Sequence, residues 1–127
     1  MRFRNSEAAK RFAARRERED SAQRLHDVAP TLTKLDLELC ESRAGMTDPH
    51  SVYVRRVVVA QAPAHFEIAC GDSACQDGGH DMTSDVLDAL RRREETFTAE
   101  DACRGTIGSV GSPCERVLKL SGTAKYE

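Results

Sequence analysis

Cys70-Gly71-Asp72-Ser73-Ala74-Cys75-Gln76-Asp77-Gly78-Gly79-His80 is a loop of small and turn-forming residues carrying two thiols and closing on an imidazole. A second pair, Cys103 and Cys114, flanks the Gly/Ser-rich turn Gly105–Pro113. Two thiol pairs in such loops, separated by a segment that reads as a helix and a strand, have the layout of a structural metal site. Sites of that kind bring thiolates from two turns onto one tetrahedral ion. The chain has 127 residues, 39% of them hydrophobic, with four Phe, two Tyr and no Trp, so its apolar core is thin. Small domains with thin cores are commonly held by a metal or by disulfides.

Compartment decides between those two staples. The N-terminus Met1-Arg2-Phe3-Arg4-Asn5 leads into a charged segment and not an apolar one, which reads as the absence of a secretory signal. The longest apolar run, Val57-Val58-Val59-Ala60, is too short to span a bilayer. The expectation is a soluble cytoplasmic protein with no membrane partner, where clustered thiols are metal ligands or redox groups and not structural disulfides. No Cys-x-x-Cys is present to support redox work.

The expected ligands are therefore Cys70, Cys75, Cys103 and Cys114 around one structural Zn2+. His80 is the alternative fourth ligand should Cys114 lie too far away, with Gly78-Gly79 letting the backbone turn inward. Cys40 is the odd thiol, isolated in the alternating stretch Leu35-Asp36-Leu37-Glu38-Leu39-Cys40, and reads as filler. The layout resembles a zinc ribbon with a helix inserted between its halves. It departs in spacing, since ribbon knuckles are Cys-x2-Cys and these pairs are Cys-x4-Cys and Cys-x10-Cys.

Charge is unevenly spread. Residues 1–24 hold eight cations (Arg2, Arg4, Lys10, Arg11, Arg15, Arg16, Arg18, Arg24) against Glu7, Glu17, Glu19 and Asp20, a local +4. With a total of −2, the remainder carries −6. A basic arm on an acidic body suits contact with nucleic acid or an acidic partner, and equally a solvated helix. Arg55-Arg56 and Arg91-Arg92-Arg93 add cations elsewhere, but no RRM, KH or helix-turn-helix signature accompanies them.

Residues 5–28 lack Pro and Gly and favour helix, with a weak apolar stripe that suggests a peripheral element ending at Pro30. Leu35–Cys40 alternates as a half-buried strand, Ser42–Ser51 is a loop, and Val52–Val59 is a strand dense in β-branched residues. After the interruption at Gln61-Ala62-Pro63, Phe66–Cys70 resumes alternation as a strand beside Val52–Val59 or continuous with it. Asp81 or Thr83 caps a helix bearing Val86, Leu87, Ala89 and Leu90, closed by Arg91-Arg92-Arg93. Thr96–Thr98 and Cys114–Leu120 are the last strands.

Catalytic motifs fail on inspection. His65-Phe66-Glu67 and Pro113-Cys114 match halves of the zinc deaminase signature, but position 117 is Val where a Cys is required. No His-Glu-x-x-His, P-loop or nucleophile elbow occurs.

The resulting expectation is an α+β chain: an N-terminal helix, then a small, mostly antiparallel sheet with one inserted helix, stapled by zinc. Residues 1–30 form a basic helical arm and 31–127 the zinc-binding domain. The expected function is a nucleic-acid-associated or regulatory protein, with contacts from Arg2, Arg4, Lys10, Arg11, Arg15, Arg16 and Arg18. The alternatives are a protein-interaction module docking through its N-terminal helix and an enzyme with a site near His80 and Asp81. The sequence leaves the oligomeric state open.

Overall fold

The computed structural model describes residues 2–43, 51–72 and 74–127, with side chains for 9–43, 52–72 and 74–127. Helix α1 spans Arg2–Ser21 and a single helical turn, α2, spans Leu25–Val28. The helix expected over 5–28 is thus broken at residues 22–24, and the reason is burial. Leu25 is fully buried, and its N–H donates to the Ala62 carbonyl (2.9 Å) while the Ala64 N–H donates to Gln23 (2.7 Å). The backbone of Gln23–Leu25 bonds to the 61–64 segment and cannot also bond within a helix.

Four strands form the main sheet: β1 Leu32–Arg43, β2 Ser51–Val57, β5 Thr96–Ala102 and β8 Arg116–Tyr126, in the order β2-β1-β8-β5. All neighbours run antiparallel. Two short ladders stand apart from it, β3 Glu67–Ile68 with β4 His80–Asp81, and β6 Thr106–Ile107 with β7 Ser112–Pro113. The architecture is α+β, with an N-terminal helix, a mostly antiparallel sheet and one further helix, α3 Thr83–Arg91. No helix among the described residues is long and apolar enough to cross a membrane.

Several expectations change. The Phe66–Cys70 strand neither neighbours nor continues β2; it contributes β3, which pairs with β4. The 61–64 segment between them is drawn to Gln23–Leu25, which takes the chain off the sheet. Ser42 and Arg43 belong to β1 and Ser51 opens β2, while residues 44–50 of the expected loop lie outside the described residues. The final strand starts at Arg116 and runs to Tyr126, and the 105–113 turn contains the β6–β7 hairpin.

The core lies on one face of the sheet. Leu35, Leu37 and Leu39 of β1 share that face with Leu118, Leu120 and Ala124 of β8 and Phe97 of β5. Leu25, Phe66, Met82, Val86 and Leu90 cover it. Gly122 lies under the Phe97 ring, where a Cβ would fall 2.2 Å from the ring edge. Among the described residues of segment 1–30, Leu25 and Ala29 are buried in the core and Val28 packs against it.

Candidate metal centre

The cysteine loops are brought together by the strands that flank them. Cys70 follows β3, and Cys75 lies in the segment returning to β4. Cys103 follows the end of β5 and Cys114 precedes β8, and because those strands pair, the Cys103 N–H donates to the Arg116 carbonyl (2.9 Å). Two backbone bonds lock the loops to each other: Gln76 N–H to Thr106 O (2.8 Å) and Thr106 N–H to Gln76 O (3.0 Å).

The four Sγ atoms lie within 4.8 Å of one another, a group that can hold a metal ion. The closest contacts cross between loops: Cys70 to Cys114 at 3.8 Å and Cys75 to Cys103 at 3.6 Å. A tetrahedron with metal–sulfur bonds of about 2.3 Å has edges of about 3.8 Å, so both crossed pairs fit with little movement. Cys103 and Cys114 are buried, and Cys70 and Cys75 half-buried. Among the described residues this is the one cluster of three or more metal-ligating side chains.

Backbone amides point at the sulfurs. Gly79 and Gly105 N–H both donate to Cys103 Sγ (3.4 Å each), and Asp72 N–H donates to Cys70 Sγ (3.4 Å). Burial opposes ionisation of Cys103, yet the Gly105 and Gly79 amides bring its thiol below the ordinary value. Cys70 is pushed up to about 12, chiefly by burial, and Cys75 is raised for the same reason. Four thiols packed this closely need a cation if all are to ionise.

Glycines make room for the sulfurs. A Cβ on Gly78 would sit 2.3 Å from Cys75 Sγ and 2.6 Å from Cys103 Sγ; on Gly105 it would meet Cys75 Sγ at 2.2 Å. Small residues in these loops therefore serve close packing as well as turning.

His80 points elsewhere. It is fully buried; its Nδ1–H donates to the Asp101 carbonyl (2.9 Å), and Nε2 lies 3.2 Å from Glu41 Oε2. With Cys114 against Cys70, the condition that would call on His80 does not arise. Cys40 stands on β1 opposite Val52 and Lys119, outside the cluster.

Glu41 is the residue sequence reasoning missed. Buried to 3% exposure, its Oε1 accepts from Arg116 Nη1 (2.7 Å) and its Oε2 from the Gly71 N–H (3.1 Å). It thereby ties β1 to the residue after Cys70, to His80, and to the strand that follows Cys114. The signal was available: position 41 continues the inward phase of Leu35, Leu37 and Leu39.

Helix α1 lies against the same loops. Arg18 makes two hydrogen bonds to Glu67 (3.0 and 2.7 Å), Arg15 approaches Glu67 at 3.6 Å, and Arg11 approaches Asp77 at 3.5 Å. Hydrogen bonding from Arg18 holds the Glu67 carboxyl below its usual range, and His65 Nε2 adds a contact at 3.3 Å. Of the other expected nucleic-acid contacts, Arg16 is exposed, and the side chains of Arg2 and Arg4 lie outside the described residues. A cleft of about 320 Å³ opens between α1 and the loops, lined by Arg18, His65, Glu67, Asp81 and Arg104. Asp81 there accepts the Thr83 N–H (3.0 Å) at the start of α3.

No family model matches the chain, and comparison with curated proteins and with solved structures found no match.

Proposed function

We propose that this chain is a small zinc-stabilised binding module, with Cys70, Cys75, Cys103 and Cys114 closing a structural site and the basic helix α1 contacting nucleic acid. One observation carries the metal reading: four sulfurs from two loops lie within 4.8 Å, with Cys40 outside the group and the one nearby histidine turned away. Four thiolates suit zinc or iron, zinc being the common structural ion of such sites, and a closed set leaves no position for substrate or reactive water. Support for the polyanion reading is weaker and rests on charge: seven Arg and Lys in residues 2–20. The protein-interaction alternative draws on Phe12, 60% exposed on α1.

Metal analysis of protein purified without chelator should give one zinc per chain, and content near zero would sink the metal reading. Deleting residues 2–20 stops short of the Gln23–Leu25 contacts and should leave a zinc-loaded fold. Oligonucleotide affinity should then fall, and the salt slope should become shallower by several units, at ~0.7 per lost phosphate contact on a single strand. No binding to DNA or RNA by the full chain, with capture of a protein partner lost on the same deletion, would favour the alternative.

A further inference from the structure

The contacts of α1 are electrostatic. None of its residues 9–21 is buried, and Phe12 is largely exposed, so little apolar area holds this part of the helix down. Its described side chains are tied to the loops by the pairs Arg11–Asp77, Arg15–Glu67 and Arg18–Glu67. Both acceptors belong to the segment that carries Cys70 and Cys75: Glu67 opens β3, and Asp77 lies two residues past Cys75, at a positive φ of 56°. Gly78, the next residue, abuts the sulfurs of Cys75 and Cys103.

We propose that Glu67 and Asp77 act as an internal stand-in for phosphate, so that the cysteine loop and a nucleic acid compete for Arg11, Arg15 and Arg18. Metal loading biases the competition toward the loop. This rests on the nucleic-acid reading above. An ion that fixes the Cys70–Cys75 segment fixes both carboxylates in place, and the docked arm in turn favours the ordered loop. Binding linkage is reciprocal: the factor by which zinc weakens nucleic-acid binding is the factor by which nucleic acid weakens zinc binding. Exposed ion pairs are individually weak, so the clamp is a graded bias and not a lock.

The test uses the full chain, zinc-loaded, and a 20-nucleotide single-stranded DNA of mixed sequence. Glu67→Gln/Asp77→Asn should bind about fivefold more tightly than the wild type, with a salt slope steeper by ~2 units as three arginines are freed. Trypsin cleavage after Arg15 and Arg18 should also be faster in this variant without DNA. Glu38→Gln/Glu100→Gln makes the same charge change on the far face of the sheet and should alter neither readout. Equal gains from both variants, or none from the first while the wild type binds, would overturn the clamp. Failure of every form to bind DNA would instead overturn the nucleic-acid reading, and the competition with it.

Discussion

Replacing Gly105 by Ala should weaken metal binding without replacing any of the four cysteines. Gly105 is not in the left-handed region, so alanine's backbone preferences are satisfied and only space is tested. The added Cβ would fall 2.2 Å from Cys75 Sγ, 2.6 Å from Gly78 Cα and 2.7 Å from Gln76 O. Carbon needs about 3.5 Å from such neighbours, so something must retreat by more than ~1 Å. The sulfur alone could swing aside, but the other two atoms are backbone, held by the Gln76–Thr106 bonds. Metal sites tolerate deviations of about 0.2 Å, and the Cys75–Cys103 edge is already 3.6 Å. Zinc affinity should fall at least 10–100-fold, the loss typical of disturbing the supporting shell of a metal site, or about 1.4–2.8 kcal/mol at 1.4 kcal/mol per decade. At roughly 3–5 °C per kcal/mol for a domain of this size, Tm in fixed excess zinc should drop by about 4–14 °C. Chelator competition gives the affinity, and cobalt substitution reports the sulfur geometry. Wild-type affinity with an unchanged cobalt spectrum would refute this account of the site.

Three further outcomes follow from individual residues. Glu41→Gln should destabilise the protein by about 2–4 kcal/mol in denaturant titrations, because Arg116 loses its charged acceptor in a buried network; a change under ~0.5 kcal/mol would contradict the burial described. Zinc affinity should rise steeply with pH between 6 and 8. The raised thiols of metal-free Cys70 and Cys75 are protonated throughout that window and must lose their protons to bind, so at least two are released and the affinity should climb by about two decades per unit; a slope below one would mean these thiols are not ligands. Cys40→Ser should change stability by no more than about 0.5 kcal/mol and leave metal content intact, and loss of zinc in that variant would move the odd thiol into the site.

Local patterns were legible and long-range ones were not. Alternation located β1, β-branched density marked β2, and an apolar stripe marked α3, since each is written in consecutive residues. The grouping of four cysteines was legible from small-residue loops, but their crossed contacts, Cys70 with Cys114 and Cys75 with Cys103, lie between segments far apart in sequence, joined by the Gln76–Thr106 bonds and by Glu41 holding Gly71 and Arg116. The break at residues 22–24 follows from a bond to Ala62 that no local propensity encodes. Charge counting found the arginines of α1 but not their partners, because Glu67 and Asp77 meet the helix only after the β3–β4 ladder folds back.

The same sheet face explains why a metal would suit this end of the molecule. Read along the inward phase, β1 runs Leu35, Leu37, Leu39 and then Glu41. In the same phase β8 and its approach run Ala124, Gly122, Leu120, Leu118, Arg116 and Cys114, while β5 and its exit run Phe97, Ala99, Asp101 and Cys103. Three strands thus pass together from an apolar layer through a layer of charge, and two of them go on to thiols. The charged layer is satisfied internally: Glu41 takes Arg116 and Gly71, the Asp101 carboxylate accepts the Asp81 N–H, and the Asp101 backbone carbonyl takes His80. Beyond it, few apolar side chains hold the loops of residues 69–79 and 103–115. Cross-links between loops must hold them instead, and among the described residues backbone-to-backbone bonding supplies the Gln76–Thr106 pair. In the proposed module the ion does for this end of the sheet what leucines do for the other, and Glu41 forms the joint between the two.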